Sequence, residues 1–160
     1  MNRADIHNGG FNARSAHGSY QTATAGSTGD ATEADGAYVD RFATASGMAM
    51  SAKLIIGFTA TLAEGATLSI AANIQDDADG SGTGTDYGTA YASTVVATGG
   101  SGGSTVRDTI ELDFDLGSAE RYIRSQTTPN LSAANTDTCV VWSTWVLFGA
   151  GKGPMSETVI

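Results

Sequence analysis

Charge is scarce in this chain. Only 16% of its 160 residues are Asp, Glu, Lys or Arg, against about 25% in an average soluble domain. Positive charge is scarcer still: Lys and Arg total 8, Asp and Glu 17, and the formal net charge is -9. Phosphate backbones are held by cationic neutralisation, so the composition argues against nucleic acid as a direct partner. Anionic membrane surfaces are disfavoured on the same ground. Cysteine occurs once, at Cys139, which rules out an intramolecular disulfide framework. It lies in an apolar stretch and reads as a buried, inert thiol. A catalytic thiolate would need a histidine beside it, and the two histidines, His7 and His17, sit far away in a polar segment. No run approaches the about 18–20 apolar residues of a membrane span. The first 30 residues hold no apolar core of a secretory signal. The chain is expected to be made in a cytoplasm, and to stay there or in a particle assembled there.

Ala, Gly, Thr and Ser fill the places that charge has left. Small neutral side chains lose little entropy when pressed against a partner. Residues 1–36 are rich in them and have no hydrophobic period, so they are expected to form a flexible or extended N-terminal arm. Phe11 and Tyr20 are spaced singly along it and are candidate anchors on a neighbouring subunit. Residues 37–150 are expected to form the β domain and residues 151–160 a short tail, where Pro154 argues against a further central strand.

Within the domain the pattern is period two. Leu54, Ile56, Phe58, Ala60 and Leu62 share one face of a strand over 53–62, with Ile55 the apolar exception on the other. Leu68, Ile70, Ala72 and Ile74 repeat this over 66–74. The Glu64-Gly65 turn between them predicts a β-hairpin. Ala37–Phe42 and Tyr91–Thr98 are further strand candidates. Over 105–116, Val106, Ile110, Leu112, Phe114 and Leu116 alternate with Arg107, Thr109, Glu111, Asp113 and Asp115, and Asp108 alone breaks the inward set. A strand over 120–128 is expected to end in a Pro129-Asn130-Leu131-Ser132 loop. The last strand, 138–148, is apolar on both sides. Cys139, Val141, Trp145 and Leu147 face one way; Val140, Trp142, Val146 and Phe148 face the other. Such a strand is covered on both sides, by the core on one and by the arm, another layer or a second subunit on the other. Seven or eight strands, 21 Gly, only 2 Pro and no convincing helix indicate an all-β antiparallel sandwich or jelly roll.

Chemistry is sparse. Gln75, Asp77, Asp79, Gly80 and Asp86 fall at spacings of a calcium loop. Gln stands where Asp leads, Asp stands where Glu closes, and no helices flank the segment, so a solvated hairpin loop is favoured and no metal is expected. The glycines of 80–84 and 99–103 lack the Lys-Ser/Thr pair and helix start of a phosphate loop. Asp113, Asp115 and Glu120 lie near one strand end, but a glycosidase needs two carboxylates across a cleft. Trp142 and Trp145 point to opposite faces and form no single sugar platform; core and interface roles are expected. Arg121 and Arg124 are suited to bidentate carboxylate pairing, with Asp113 or Asp115 or with a partner subunit. No catalytic residue and no cofactor emerge.

The run 114–124 (Phe-Asp-Leu-Gly-Ser-Ala-Glu-Arg-Tyr-Ile-Arg), then 128–132 (Thr-Pro-Asn-Leu-Ser) and 136–138 (Thr-Asp-Thr), resembles the jelly-roll capsid cement, or decoration, proteins of tailed bacteriophages. The segments 62–68 and 73–76 resemble them too, so the likeness spans roughly residues 52–150. It implies a structural virion protein that binds the major capsid protein on the outer surface of an assembled head. It further implies a homotrimer at threefold or quasi-threefold positions, host cytoplasm before assembly, and neither catalysis nor cofactor. The alternative is a carbohydrate- or receptor-binding β module of a phage fibre.

Overall fold

Alternation of apolar and polar residues produces the strands seen in the computed structural model, which describes residues 13–43, 47–133 and 136–149. Phe11 and the 151–160 tail lie outside the described residues. In chain order the strands are β1 (Ala13–Thr24), β2 (Ala34–Asp35), β3 (Val39–Asp40), β4 (Phe42–Ala43), β5 (Gly47–Met48) and β6 (Ser51–Leu62). They continue with β7 (Thr67–Asp77), β8 (Thr85–Asp86), β9 (Tyr91–Thr98), β10 (Ser104–Asp115), β11 (Tyr122–Leu131) and β12 (Thr138–Phe148). The described residues are all-β, and the strands pair antiparallel.

One sheet has the order β1-β12-β6-β10. The other runs from β2 and β3, through β11 and β7, to β8 and β9. β4 and β5 form a separate small hairpin. The pairs are nested along the chain: β1 with β12, β2 and β3 with β11, β6 with β10, β7 with β9. This is one long hairpin folded double and rolled into two packed sheets, the jelly-roll arrangement. The core lies between the sheets, where Leu54, Ile56, Phe58, Leu68, Ile70, Ile74, Ile123, Val141, Trp145 and Leu147 are buried.

Three local expectations are corrected. The segments 53–62 and 66–74 do not pair as a hairpin: β6 bonds to β10 and β12, β7 to β11 and β9. Both strands are apolar on alternate positions, and the two apolar faces meet across the core, so the Glu64-Gly65 turn is a corner between sheets. Gly65 supplies its left-handed conformation, with φ of 73°.

Pro129 and Leu131 belong to β11, where Pro129 pairs with Ile70. The Pro129 carbonyl accepts from Ala31 N–H, so the proline nitrogen points the same way, beyond the end of β2. No ladder bond is lost there.

Residues 13–24, assigned to the arm, are the edge strand β1, paired with β12 from Ala13↔Phe148 to Thr24↔Thr138 with a shift of register between His17 and Tyr20. The strand is poor in large apolar residues because its buried positions are Gly18, Ser19 and Ala23, and Ser19 joins a cluster of hydroxyls from β11 and β12. The Ser19 hydroxyl lies 2.9 Å from those of Thr127 and Ser143, and Ser125 and Ser143 are 3.0 Å apart. Ser19 N–H donates to Ser143 Oγ at 2.6 Å. All four side chains are buried and mutually satisfied, as buried polar groups must be.

A buried guanidinium closes one end of the sandwich. Arg41 donates to the carbonyls of Ala49, Leu116, Ala119 and Glu120. It thereby clamps the 116–120 connection that carries the chain from β10 in one sheet to β11 in the other.

Candidate interaction surface

The outward face of the β1-β12-β6-β10 sheet is built by the second side of β12. Val140, Trp142, Thr144, Val146 and Phe148 alternate with its buried residues and so point away from the core. Ile55 of β6 stands opposite Thr144 and is the apolar exception that the sequence showed. Tyr20, Trp142, Gly57 and Thr109 form one cross-strand row. Tyr20 is 61% exposed and Trp142 38%.

Gly57 is what lets the indole lie down. A β-carbon there would stand 2.5 Å from Cε2 and Cζ2 of Trp142, far inside contact distance, so only glycine leaves room. Among the outward positions of β12 and β6 the single charge is Lys53. It is held by Glu111 at 2.8 Å and Asp113 at 3.0 Å. Its ammonium is stabilised first by the Glu111 hydrogen bond and then by Asp113, which raises its pKa. At the Phe148 end a shallow groove of about 360 Å³ lies between Ser51, Lys53, Asp113, Phe114 and Phe148.

Trp145 belongs elsewhere. It is 0% exposed, with its ring edge-on to Phe114 at 6.1 Å between centroids. A side chain enclosed on all sides cannot contact a partner, so its role is core packing and the expected interface role does not hold. Tyr20 is exposed as an anchor should be, but it stands on the chain's own edge strand.

The two arginines find partners that the sequence did not suggest. Arg121 forms a bidentate pair with Asp40, at 3.0 and 2.7 Å, and lies over the rings of Phe42 and Tyr122. The Arg121 hydrogen bond is the main cause holding the Asp40 carboxyl below its ordinary pKa. Arg124 donates to Gln75 Oε1 and the Thr83 carbonyl, pairs with Asp35 at 3.1 Å and lies over Tyr38. Asp113 and Asp115 are not their partners, because β10 and β11 lie in different sheets. The signal missed was in 35–40, whose aspartates end the short edge strands β2 and β3 beside β11.

The acidic loop closes on itself. Gln75 pairs with Asp86 as β7 meets β8. Asp77 Oδ1 accepts the N–H groups of Asp79 and Gly80, and these bonds hold its carboxyl below the ordinary range. Among the described residues, no three His, Cys, Asp or Glu side chains group as metal ligands would. Asp115 caps the Gly117 N–H, Asp113 serves Lys53, and Glu120 donates its N–H to Asp76. They do not face one another as a catalytic pair would. Cys139 is buried, and burial pushes its thiol up to about 11.

No protein-family profile matches the chain, and no curated protein matches it. Solved structures do. The VP2 subviral particle of infectious bursal disease virus is 12% identical with a TM-score of 0.47, over 87% of this chain and 33% of that one. The T=1 particles derived from the same virus give 14% and 0.46, over 89% and 33%. Its Gx strain gives 10% and 0.48, over 87% and 33%. This chain spans about a third of the length of those it matches. The jelly-roll assignment rests on the strand order within the chain itself.

Proposed function

We propose that the chain is a capsid cement protein of a tailed bacteriophage. In this reading it binds the major capsid protein on the outside of an assembled head, as a homotrimer at threefold or quasi-threefold positions, and stabilises the shell. One observation carries the reading. The cement-like run 114–124 spans, in this jelly roll, the end of β10, the connection between the two sheets that Arg41 clamps, and the start of β11. The likeness therefore falls on a connection that a buried guanidinium holds in place. The neutral face around Trp142 supplies a surface for contact, and the acidic remainder keeps the free subunit soluble and off the genome. A binder selective for the assembled shell stabilises it by mass action.

Mixing the protein with undecorated capsids tests this. Saturable, stoichiometric co-sedimentation and a higher capsid melting temperature are expected; no binding at micromolar protein would contradict it.

A second reading has one observation of its own: Tyr20 and Trp142 are neighbouring exposed aromatics in register, the kind of surface on which a sugar ring can stack. A glycan-array signal that disappears in Trp142→Ala would favour a carbohydrate-binding module.

A further inference from the structure

The hairpin of β4 and β5 carries an apolar patch at the end of the sandwich where β12 finishes. Phe42 stands opposite Met48 across it. Phe42 follows the buried Arg41, and Met48 and Met50 flank the buried Ala49, so Phe42, Met48 and Met50 share the outer side and are exposed. Arg121 borders them, its guanidinium 5.5 Å from the centre of the Phe42 ring. We infer that this patch seats the chain's own C-terminal segment, 150–160, with Met155 on the apolar side chains and Glu157 on Arg121. The inference stands apart from the cement reading, because it concerns how the subunit covers itself and not what the subunit binds.

Position favours this occupant. Met50 N–H donates to the Phe148 carbonyl at 3.0 Å, and a β-carbon on Gly149 would lie 3.5 Å from Cβ of Met50. The segment beyond Gly149 therefore starts against the patch. Fully extended it spans at most about 36–40 Å, several times the width of a hairpin whose strands lie about 4.8 Å apart. A tethered segment also competes at an effective concentration in the millimolar range, ahead of a free partner of the same chemistry. The N-terminal segment, 1–12, enters at Ala13, which β12 separates from Ser51.

Charge favours it too. Asp115 stands at the Gly149 end of the patch: a β-carbon on Gly117 would lie 3.2 Å from Asp115 Oδ1 and 3.9 Å from Met50 Cε. Arg121 stands at the Phe42 end. The segment carries Lys152, Met155 and Glu157 in that order, so cation, thioether and carboxylate meet carboxylate, apolar patch and guanidinium in turn. Arg121 holds Asp40 through Nε and Nη2, and its Nη1 takes no part in that pair. Methionine, aromatic rings and arginine are also the side chains enriched where protein surfaces meet, and methionine adapts its shape to what covers it.

Methionine oxidation tests the inference, since the 4 methionines of the chain include Met48, Met50 and Met155. Rates in dilute peroxide are followed residue by residue through peptide mass spectrometry. In the full chain Met48 and Met50 are expected to oxidise about tenfold more slowly than in a variant that ends at Gly149, the ratio for a seated state favoured by about 1.4 kcal/mol. Met155 is expected to oxidise more slowly in the native chain than in denaturant. A variant without residues 1–12 is expected to keep the slow rates. Circular dichroism is expected to show the same β signal in all three chains. Should the shortened chain fail to fold, Glu157→Arg sets two guanidiniums together in the full chain and is expected to raise the rates at Met48 and Met50.

Equal rates at Met48 and Met50 with and without 150–160, or with Glu157→Arg, overturn the inference. Protection that grows with protein concentration overturns it as well, because a second copy is then the cover. Protection that appears only when capsids are added does the same, because the shell is then the cover. Capsid binding by the variant that ends at Gly149 judges the cement reading separately.

Discussion

Trp142 lies across Gly57, its neighbour on the adjacent strand, in the space that a β-carbon would fill. The pair sits at the centre of the outward face of β12, where a bulky exposed side chain would otherwise stand away from the sheet. Gly57→Ala is expected to lift the indole and to lower stability by about 1–3 kcal/mol, the usual range for forced overpacking. Thermal unfolding and near-ultraviolet circular dichroism measure both effects. An unchanged melting temperature with an unchanged tryptophan signal would show that the ring does not depend on Gly57.

The hydroxyl cluster between the sheets predicts a coupled pair. Ser143→Ala removes the acceptor for Ser19 N–H and the partner of two hydroxyls. Leaving such groups unsatisfied costs about 1–3 kcal/mol. Gly18→Ala drives a methyl into Ser143 Oγ and is expected to destabilise by a similar amount. In the double variant the clash with that hydroxyl is gone, so the combined loss is expected to be smaller than the sum. Strict additivity in denaturant unfolding would contradict the packing seen here.

Acid is expected to weaken the link between β3 and β11. Arg121 holds the Asp40 carboxyl below its ordinary pKa, so the folded value lies below the unfolded value of about 3.9. The stabilisation is therefore complete above the unfolded value and is lost as pH falls through the folded one. Asp40→Asn removes it at all pH values. The melting temperatures of wild type and variant are expected to differ modestly near neutrality, since the pair is partly exposed; the gap begins to close below about pH 4 and vanishes once pH is below the lowered folded value. A gap that stays constant into acid would contradict the assignment.

Cys139 is expected to be unreactive while the protein is folded. Its thiol is buried and pushed up to about 11, and thiolate is the reacting species. A thiol reagent at about pH 8 should label it only when denaturant is added. Rapid labelling of the native protein would mean that β12 opens locally.

Much of this was legible in the sequence. The strands over 53–62, 66–74 and 105–116 announce themselves by alternation, broken only at Ile55 and Asp108, because each has one face in the core. The two faces of β12 could be read directly, and the structure places Trp142 and Trp145 on opposite sides as expected. What escaped was long-range or polar. Strand β1 buries Ser19 and Ala23 where a hydrophobic pattern looks for Leu or Ile. The partners of Arg121 and Arg124 come from Asp40 and Asp35, some 80 to 90 residues earlier in the chain, and no local spacing encodes them. The hairpin expected from 53–74 failed because alternation tells which side of a strand is buried, not which strand it pairs with. Gly57 gave no signal of its own, since its meaning lies in the tryptophan laid over it from another strand.

A cryo-electron-microscopy map of the intact virus particle that carries this chain tests the central claim most directly. The account predicts jelly-roll density for this chain on the outer surface of the head, in groups of three at threefold or quasi-threefold positions. Density for the chain in a tail or head fibre, or a head surface bare of it, would contradict the account.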